Sequence, residues 1–211
     1  LGLVNDDGGS DIYVGSTFGL GNGFSSGIGM VVDDAGDDVY LAMKADEEKH
    51  SGLGEGIHHG VGMLLDRSGN DFYSGGATTA SGWDLGAGFL VDVSGNDTYT
   101  DIHHLGFKPA HARVQSLAVF LDGAGADSVS EWSSNWADAT FFYPSVHEGM
   151  GGNFSFALLL GGSATSFPPE ISSHLGRPVS LTPVSWRIEA DGNEYPRGLG
   201  VIMSTAAQES G

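Results

Sequence analysis

The 211-residue chain contains no cysteine, which excludes a disulfide framework and a thiol nucleophile together. Basic residues are scarce: 8 Lys and Arg stand against 27 Asp and Glu, a formal net charge of -19. Such a surface repels phosphate backbones and anionic headgroups, so nucleic acid and anionic membranes are excluded as partners and cations are favoured. No apolar run approaches the roughly 20 residues needed to span a bilayer. Proline is nearly missing from the first 140 residues, where Pro109 stands alone, and the other six follow. No apolar period of 3.6 occurs in the first 130 residues either, which leaves no amphipathic helix there.

What is present is an internal repeat. Asp6-Asp7-Gly8-Gly9-Ser10-Asp11-Ile12-Tyr13 returns at Asp33–Tyr40, Asp66–Tyr73 and Asp92–Tyr99, and in decayed form at Asp122–Val129. Its first aspartates are 27, 33, 26 and 30 residues apart, the period of stacked supersecondary units. Gly19–Met30 aligns without a gap on Gly52–Met63, and each copy runs into a short apolar strand such as Met30-Val31-Val32 or Phe89-Leu90-Val91. Strand, tight Gly/Asp turn and second strand follow in order, so one repeat makes one coil.

The fold expected is all-β: a parallel β-solenoid, β-helix or β-roll in kind, of about five coils, with a small β-rich C-terminal extension. Tyr13, Tyr40, Tyr73 and Tyr99 should form a ladder up the stack. The apolar strands carry hydrophobic residues on both faces, so a cover is expected outside the sheet. Phe141–Tyr143, Phe154–Leu160 or a partner chain are the candidates. Residues 1–140 hold 21 acids and 5 bases, the remainder 6 and 3. That shift and the shift in proline place a boundary between a solenoid, residues 1–135, and a capping or extension segment, residues 136–211, which reads as the truncated start of a further module. The sequence opens inside a repeat, so the reading is of a fragment of a longer, bacterial-type extracellular or cell-surface protein whose targeting segment is not in these residues.

The chemistry the repeat suggests is calcium binding. Ca²⁺ takes six to eight oxygens at roughly 2.3–2.6 Å from carboxylates, amides and backbone carbonyls converging on a tight turn. Asp33, Asp38, Asp66, Asn70, Asp71, Asp92, Asn96 and Asp97 are the candidate ligands. The alternative is that Asp and Asn cap tight turns through their own side chains. Gly36-Asp37-Asp38-Val39-Tyr40, Gly69-Asn70-Asp71-Phe72-Tyr73 and Gly95-Asn96-Asp97-Thr98-Tyr99 resemble the end of the repeats-in-toxin calcium-binding nonapeptide. That resemblance implies a parallel β-roll that folds on Ca²⁺ in a secreted protein. The chain departs from it where Asp66-Arg67 or Asp92-Val93 replaces the opening glycine pair, and in having one motif per coil.

Near the C-terminus, Gly192, Tyr195 and Gly198-Leu199-Gly200 resemble the opening of NPCBM carbohydrate-binding modules, which implies a polysaccharide-handling parent. His58, His59, His103 and His104 form a candidate transition-metal set. Trp132 and Trp136 are candidates for stacking on sugar rings. Gly23-Phe24-Ser25-Ser26-Gly27 fits a nucleophile elbow, yet its serine aligns with His58 of the next copy, and the repeat accounts for it better. The reading is therefore a structural or adhesive extracellular module that binds Ca²⁺ and is not foremost an enzyme. The alternatives are a fragment of a carbohydrate-active enzyme, lyase or hydrolase, or carbohydrate-binding protein, and a filament subunit self-associating through solenoid ends or the apolar sheet face.

Overall fold

The computed structural model describes residues 1–43, 52–74, 79–100, 112–113, 116–129, 156–161, 187–188, 194–195 and 199–204. Strands β1 (Gly2–Asp6), β4 (Ile28–Asp33), β7 (Val61–Asp66), β10 (Ala87–Ser94), β13 (Leu117–Ala124), β15 (Phe156–Gly161) and β18 (Leu199–Ser204) pair in that order in one parallel sheet. A second parallel sheet holds β2 (Ile12–Gly15), β5 (Val39–Ala42), β8 (Phe72–Ser74), β11 (Thr98–Thr100) and β14 (Ser128–Val129). A third stacks β3 (Gly23–Phe24), β6 (Gly56–Ile57), β9 (Gly82–Trp83) and β12 (Ala112–Arg113). Short strands β16 (Arg187–Ile188) and β17 (Glu194–Tyr195) form an antiparallel ribbon.

Each coil thus contributes one strand to each of three sheets, and the parallel β-solenoid expected from the repeat is the fold. Four coils carry all three strands and a fifth carries β13 and β14. No helix among the described residues is long and apolar enough to cross a membrane.

Period-two alternation decides what faces inward. In the first sheet Val31, Leu64, Leu90 and Phe120 share one register row and are buried. Two residues earlier, Gly29, Gly62 and Gly88 also point inward, where a Cβ would lie 2.1, 2.1 and 2.0 Å from the carbonyl oxygens of Asn22, Glu55 and Ser81. The Gly-x-Gly spacing therefore records a close approach of backbone to backbone inside each coil. The tyrosine ladder is present: Tyr13, Tyr40, Tyr73 and Tyr99 stack within 9° of parallel at centroid separations of 4.8–4.9 Å, ending edge-on against Phe120. That separation is the strand repeat itself, so the backbone sets the ring spacing.

The outer face of the first sheet carries Met30, Val32, Met63, Leu65, Phe89 and Val91, all half-buried. The expected cover is not supplied by Phe154–Leu160, because β15 continues the sheet edge to edge, Leu158 pairing with Val119. With β15 and β18, this sheet runs on past residue 136 in unbroken parallel register. Phe141–Tyr143 lies outside the described residues.

Candidate metal centre

The Asp turn joins the first sheet to the second, and alternation sends two carboxylates per coil inward. The first closes the strand of the first sheet: Asp6, Asp33, Asp66, Asp92 and Asp122 share a register row. The second stands five residues later, at Asp11, Asp38, Asp71, Asp97 and Asp127, two positions before the ladder tyrosine in the first four coils. From the second coil onward these two five-membered columns are interior, and none of the eight carboxylates there is more than 3 % exposed.

The first column is held by hydrogen bonds. Oδ1 of Asp6, Asp33 and Asp66 accepts from the backbone N–H two residues on, at 3.0–3.1 Å, which closes the turn. Oδ2 accepts a tyrosyl O–H from the preceding coil: Tyr13 to Asp33 at 2.5 Å, Tyr40 to Asp66 at 2.6 Å, Tyr73 to Asp92 at 2.7 Å. Tyr99 also donates to Asp92 Oδ2, at 3.2 Å. The second column is held between coils: Oδ1 of Asp38, Asp71, Asp97 and Asp127 accepts the backbone N–H of Asp11, Asp38, Asp71 and Asp97 at 2.6–3.0 Å.

This arrangement leaves oxygens over. Oδ2 of Asp38, Asp71 and Asp97 and Oδ1 of Asp92 are buried and receive no hydrogen bond. Turn capping accounts for Oδ1 of Asp6, Asp33 and Asp66 and not for these. The carboxylates themselves converge: Asp38, Asp66 and Asp71 each bring a carboxylate oxygen within 4.8 Å of the others, as do Asp71, Asp92 and Asp97, and Asp97, Asp122 and Asp127. Asp71 and Asp97 each belong to two triads.

Burial dominates the electrostatics. It pushes the Asp71 carboxyl up to about 8, against the bond from the Asp38 N–H, and Asp97 up to about 9, with Asp92 adding to it. Asp66 rises to about 6, burial outweighing the Tyr40 hydroxyl, and Asp38 and Asp92 rise for the same first cause. In the first coil, Asp6 is held below its ordinary value by the Gly8 N–H. Inside the stack a free carboxylate is costly, and each triad must be protonated or neutralised by a cation. The donor set is oxygen alone, which suits a hard cation and not zinc or copper.

Of the residues expected from the sequence, Asp38, Asp66, Asp71, Asp92 and Asp97 meet in the triads, while Asp33 continues the first column outside them. Asn70 and Asn96 lie on the exposed side of the turn, where Asn96 Nδ2 donates to Asn70 Oδ1 at 2.9 Å and Asn70 Nδ2 to Asp37 Oδ1 at 3.1 Å. Alternation puts them one residue out of phase with the inward carboxylates. Asp122 and Asp127 join the third triad and were not among the expected ligands; the constant five-residue separation of the paired aspartates was the signal for them.

His58 and His59 occupy a different turn, between the third sheet and the next coil. His58 Nδ1 lies 3.1 Å from Asp84 Oδ2, and the edge of Phe24 meets the His58 ring. No histidine is in a ligand triad among the described residues. His103, His104, Trp132 and Trp136 lie outside the described residues. Ser25 does adopt a left-handed φ of 50°, yet the N–H groups of Ser25, Ser26 and Gly27 donate to Ile57, His58 and Phe24 carbonyls, so no oxyanion donor remains beside it.

No protein family, no curated protein and no solved structure matches the chain, so the likenesses to the repeats-in-toxin nonapeptide and to NPCBM modules rest on their own residues alone.

Proposed function

We propose that the chain is a structural module whose coils are locked together by Ca²⁺ held in the interior carboxylate triads. The observation that carries this reading is the set of buried oxygens without a hydrogen-bond partner on Asp38, Asp71, Asp97 and Asp92, carboxylates that meet one another in the triads. A divalent cation at a triad replaces protons, removes like-charge repulsion between coils and adds its binding free energy to folding. Three carboxylates reach the six oxygens of the smallest Ca²⁺ shell only if all three bind through both oxygens, and sites of modest affinity suit the millimolar calcium outside cells. An extracellular scaffold or adhesive role follows from that setting.

The test is a titration of the metal-stripped chain with Ca²⁺, Mg²⁺ and Na⁺, followed by circular dichroism and calorimetry. Saturable gains in β signal and Tm specific to Ca²⁺, with protons released near neutral pH, are expected. A chain whose Tm is indifferent to all three ions holds protonated carboxyls instead, and the reading fails.

A further inference from the structure

The three triads follow one rule and are not separate. Each spans a junction between coils, taking the second aspartate of one coil and both aspartates of the next: Asp38 with Asp66 and Asp71, Asp71 with Asp92 and Asp97, Asp97 with Asp122 and Asp127. Asp71 therefore serves the first and middle triads, and Asp97 the middle and third. The first and third share no residue, while the middle triad has only Asp92 to itself.

The shared carboxylates have little to divide. Oδ1 of Asp71 accepts the Asp38 N–H at 2.7 Å and Oδ1 of Asp97 the Asp71 N–H at 2.8 Å, which leaves each residue one buried oxygen, Oδ2, without a hydrogen-bond partner. One such oxygen supplies one cation. A second cation on the same carboxylate must share that oxygen or compete with the N–H for the other, and a charge already spent on one ion holds the next less strongly. Distance acts in the same direction. Successive coils are one strand spacing apart, as the 4.8–4.9 Å between stacked tyrosine rings shows. The first and third triads are two coils apart and the middle triad one coil from each, so a middle ion faces a like charge on both sides at about half the distance. Asp92 is also well served without metal. Its Oδ2 receives the hydroxyls of both Tyr73 and Tyr99, at 2.7 and 3.2 Å, where Asp66 Oδ2 receives that of Tyr40 alone among the described residues.

We propose, on the reading of these triads as Ca²⁺ sites, that they fill in two steps: the first and third triads take their cations first and independently, and the middle triad takes its own last, about tenfold or more weakly, because both neighbours hold the carboxylates it shares. Two tightly locked junctions then flank a looser one, and the calcium concentration decides whether the third and fourth coils are locked to each other.

The test counts Ca²⁺ ions bound by the full chain in equilibrium dialysis at about 0.15 M ionic strength, where exposed acids are screened. Asp92→Asn removes one ion from the weaker step and none from the tighter. Asp66→Asn and Asp122→Asn each remove one ion from the tighter step. The double variant Asp66→Asn/Asp122→Asn leaves the middle triad whole and without competitors, so its ion binds about tenfold or more tightly than the weaker ion of the parent. Loss of a tight ion in Asp92→Asn, or a middle triad no tighter in the double variant than in the parent, overturns the proposal. Where circular dichroism shows that a variant fails to fold, crystals of the parent in limiting Ca²⁺ decide. Anomalous scattering peaks are expected at the first and third triads, and a peak at the middle triad as strong as theirs overturns the two steps. A parent that binds no ion in any triad sinks the calcium reading itself, whereas three ions bound with one affinity sink the two steps and leave that reading standing.

Discussion

Each coil turns sharply at two places that solve the same stacking problem by opposite means. At the Asp turn the side chains repeat and carry the contacts: Asp, Gly, Asp and then Tyr recur, and carboxylates link each coil to its neighbours. At the turn that follows the third sheet the backbone repeats and the side chains do not. Ser25-Ser26, His58-His59 and Asp84-Leu85 all adopt left-handed φ between 46° and 66°, each pair closed by an N–H to carbonyl bond of 2.9 Å. Stacked main-chain bonds such as His58 N–H to the Trp83 carbonyl, at 3.2 Å, hold these pairs in place although left-handed residues other than glycine cost about 1–2 kcal/mol each. One turn is specified by the chemistry of its recurring aspartates and glycine; the other is imposed by its neighbours and carries side chains as unlike as serine, histidine, aspartate and leucine.

That contrast is broken first at Gly69. A Cβ there would sit 1.7 Å from the Gly36 carbonyl oxygen, so Gly69→Ala should cost at least about 3 kcal/mol in urea denaturation or prevent folding. Ser25→Ala in the other turn should stay within about 0.5 kcal/mol of the parent. The next largest effect is expected from Asp97→Asn, which keeps the Oδ1 acceptor for the Asp71 N–H but removes a charge shared by two triads. Calorimetry should show the Ca²⁺-induced rise in Tm cut by more than half, whereas Asp84→Asn leaves it intact.

The pH response sharpens the comparison further. Asp71 and Asp97 ionise at about 8 and about 9 in the fold against 3.8 ordinarily, so the unfolded chain releases its protons first as pH rises. Their contribution is whole below pH about 4 and is lost progressively up to pH about 9. The metal-stripped chain should therefore lose thermal stability across that window, and Ca²⁺ should restore it most at the alkaline end. A Tm of the stripped chain that climbs from pH 5 to pH 9 would falsify the buried-carboxyl account. Tyr73→Phe leaves Asp92 Oδ2 with one donor in place of two and should cost about 1–3 kcal/mol by the same denaturation assay. Smallest of all, His59→Gly relieves a left-handed residue and should stabilise the chain by about 1 kcal/mol.

The solenoid, its one coil per repeat and the tyrosine ladder were legible because repetition makes register visible: aligning Tyr13 with Tyr40 already places one above the other. The inward carboxylates were legible for the same reason wherever the repeat was intact. Asn70 and Asn96 stand on the other face from the triads, because composition marks a calcium turn without saying which face of the strand a residue takes; counting back two from the tyrosine separates Asp71 from Asn70. Asp122 and Asp127 were hidden by decay of the residues between them, Val129 standing where the tyrosine should be. The left-handed pairs could not be read at all, since Ser-Ser, His-His and Asp-Leu share no turn chemistry and their conformation comes from the stack.

The hydrogen bonds that join the coils all run along the axis of the stack, and that direction fixes how the chain would bear a load. A pull applied at the two ends of the axis would strain those bonds end-on, one coil at a time, instead of shearing many at once. Each detached coil would release the 26 to 33 residues that separate its aspartates from the next, about 90–110 Å of slack at 3.4 Å per residue. The molecule is built to yield in steps, lengthening by one coil for each row of bonds it gives up.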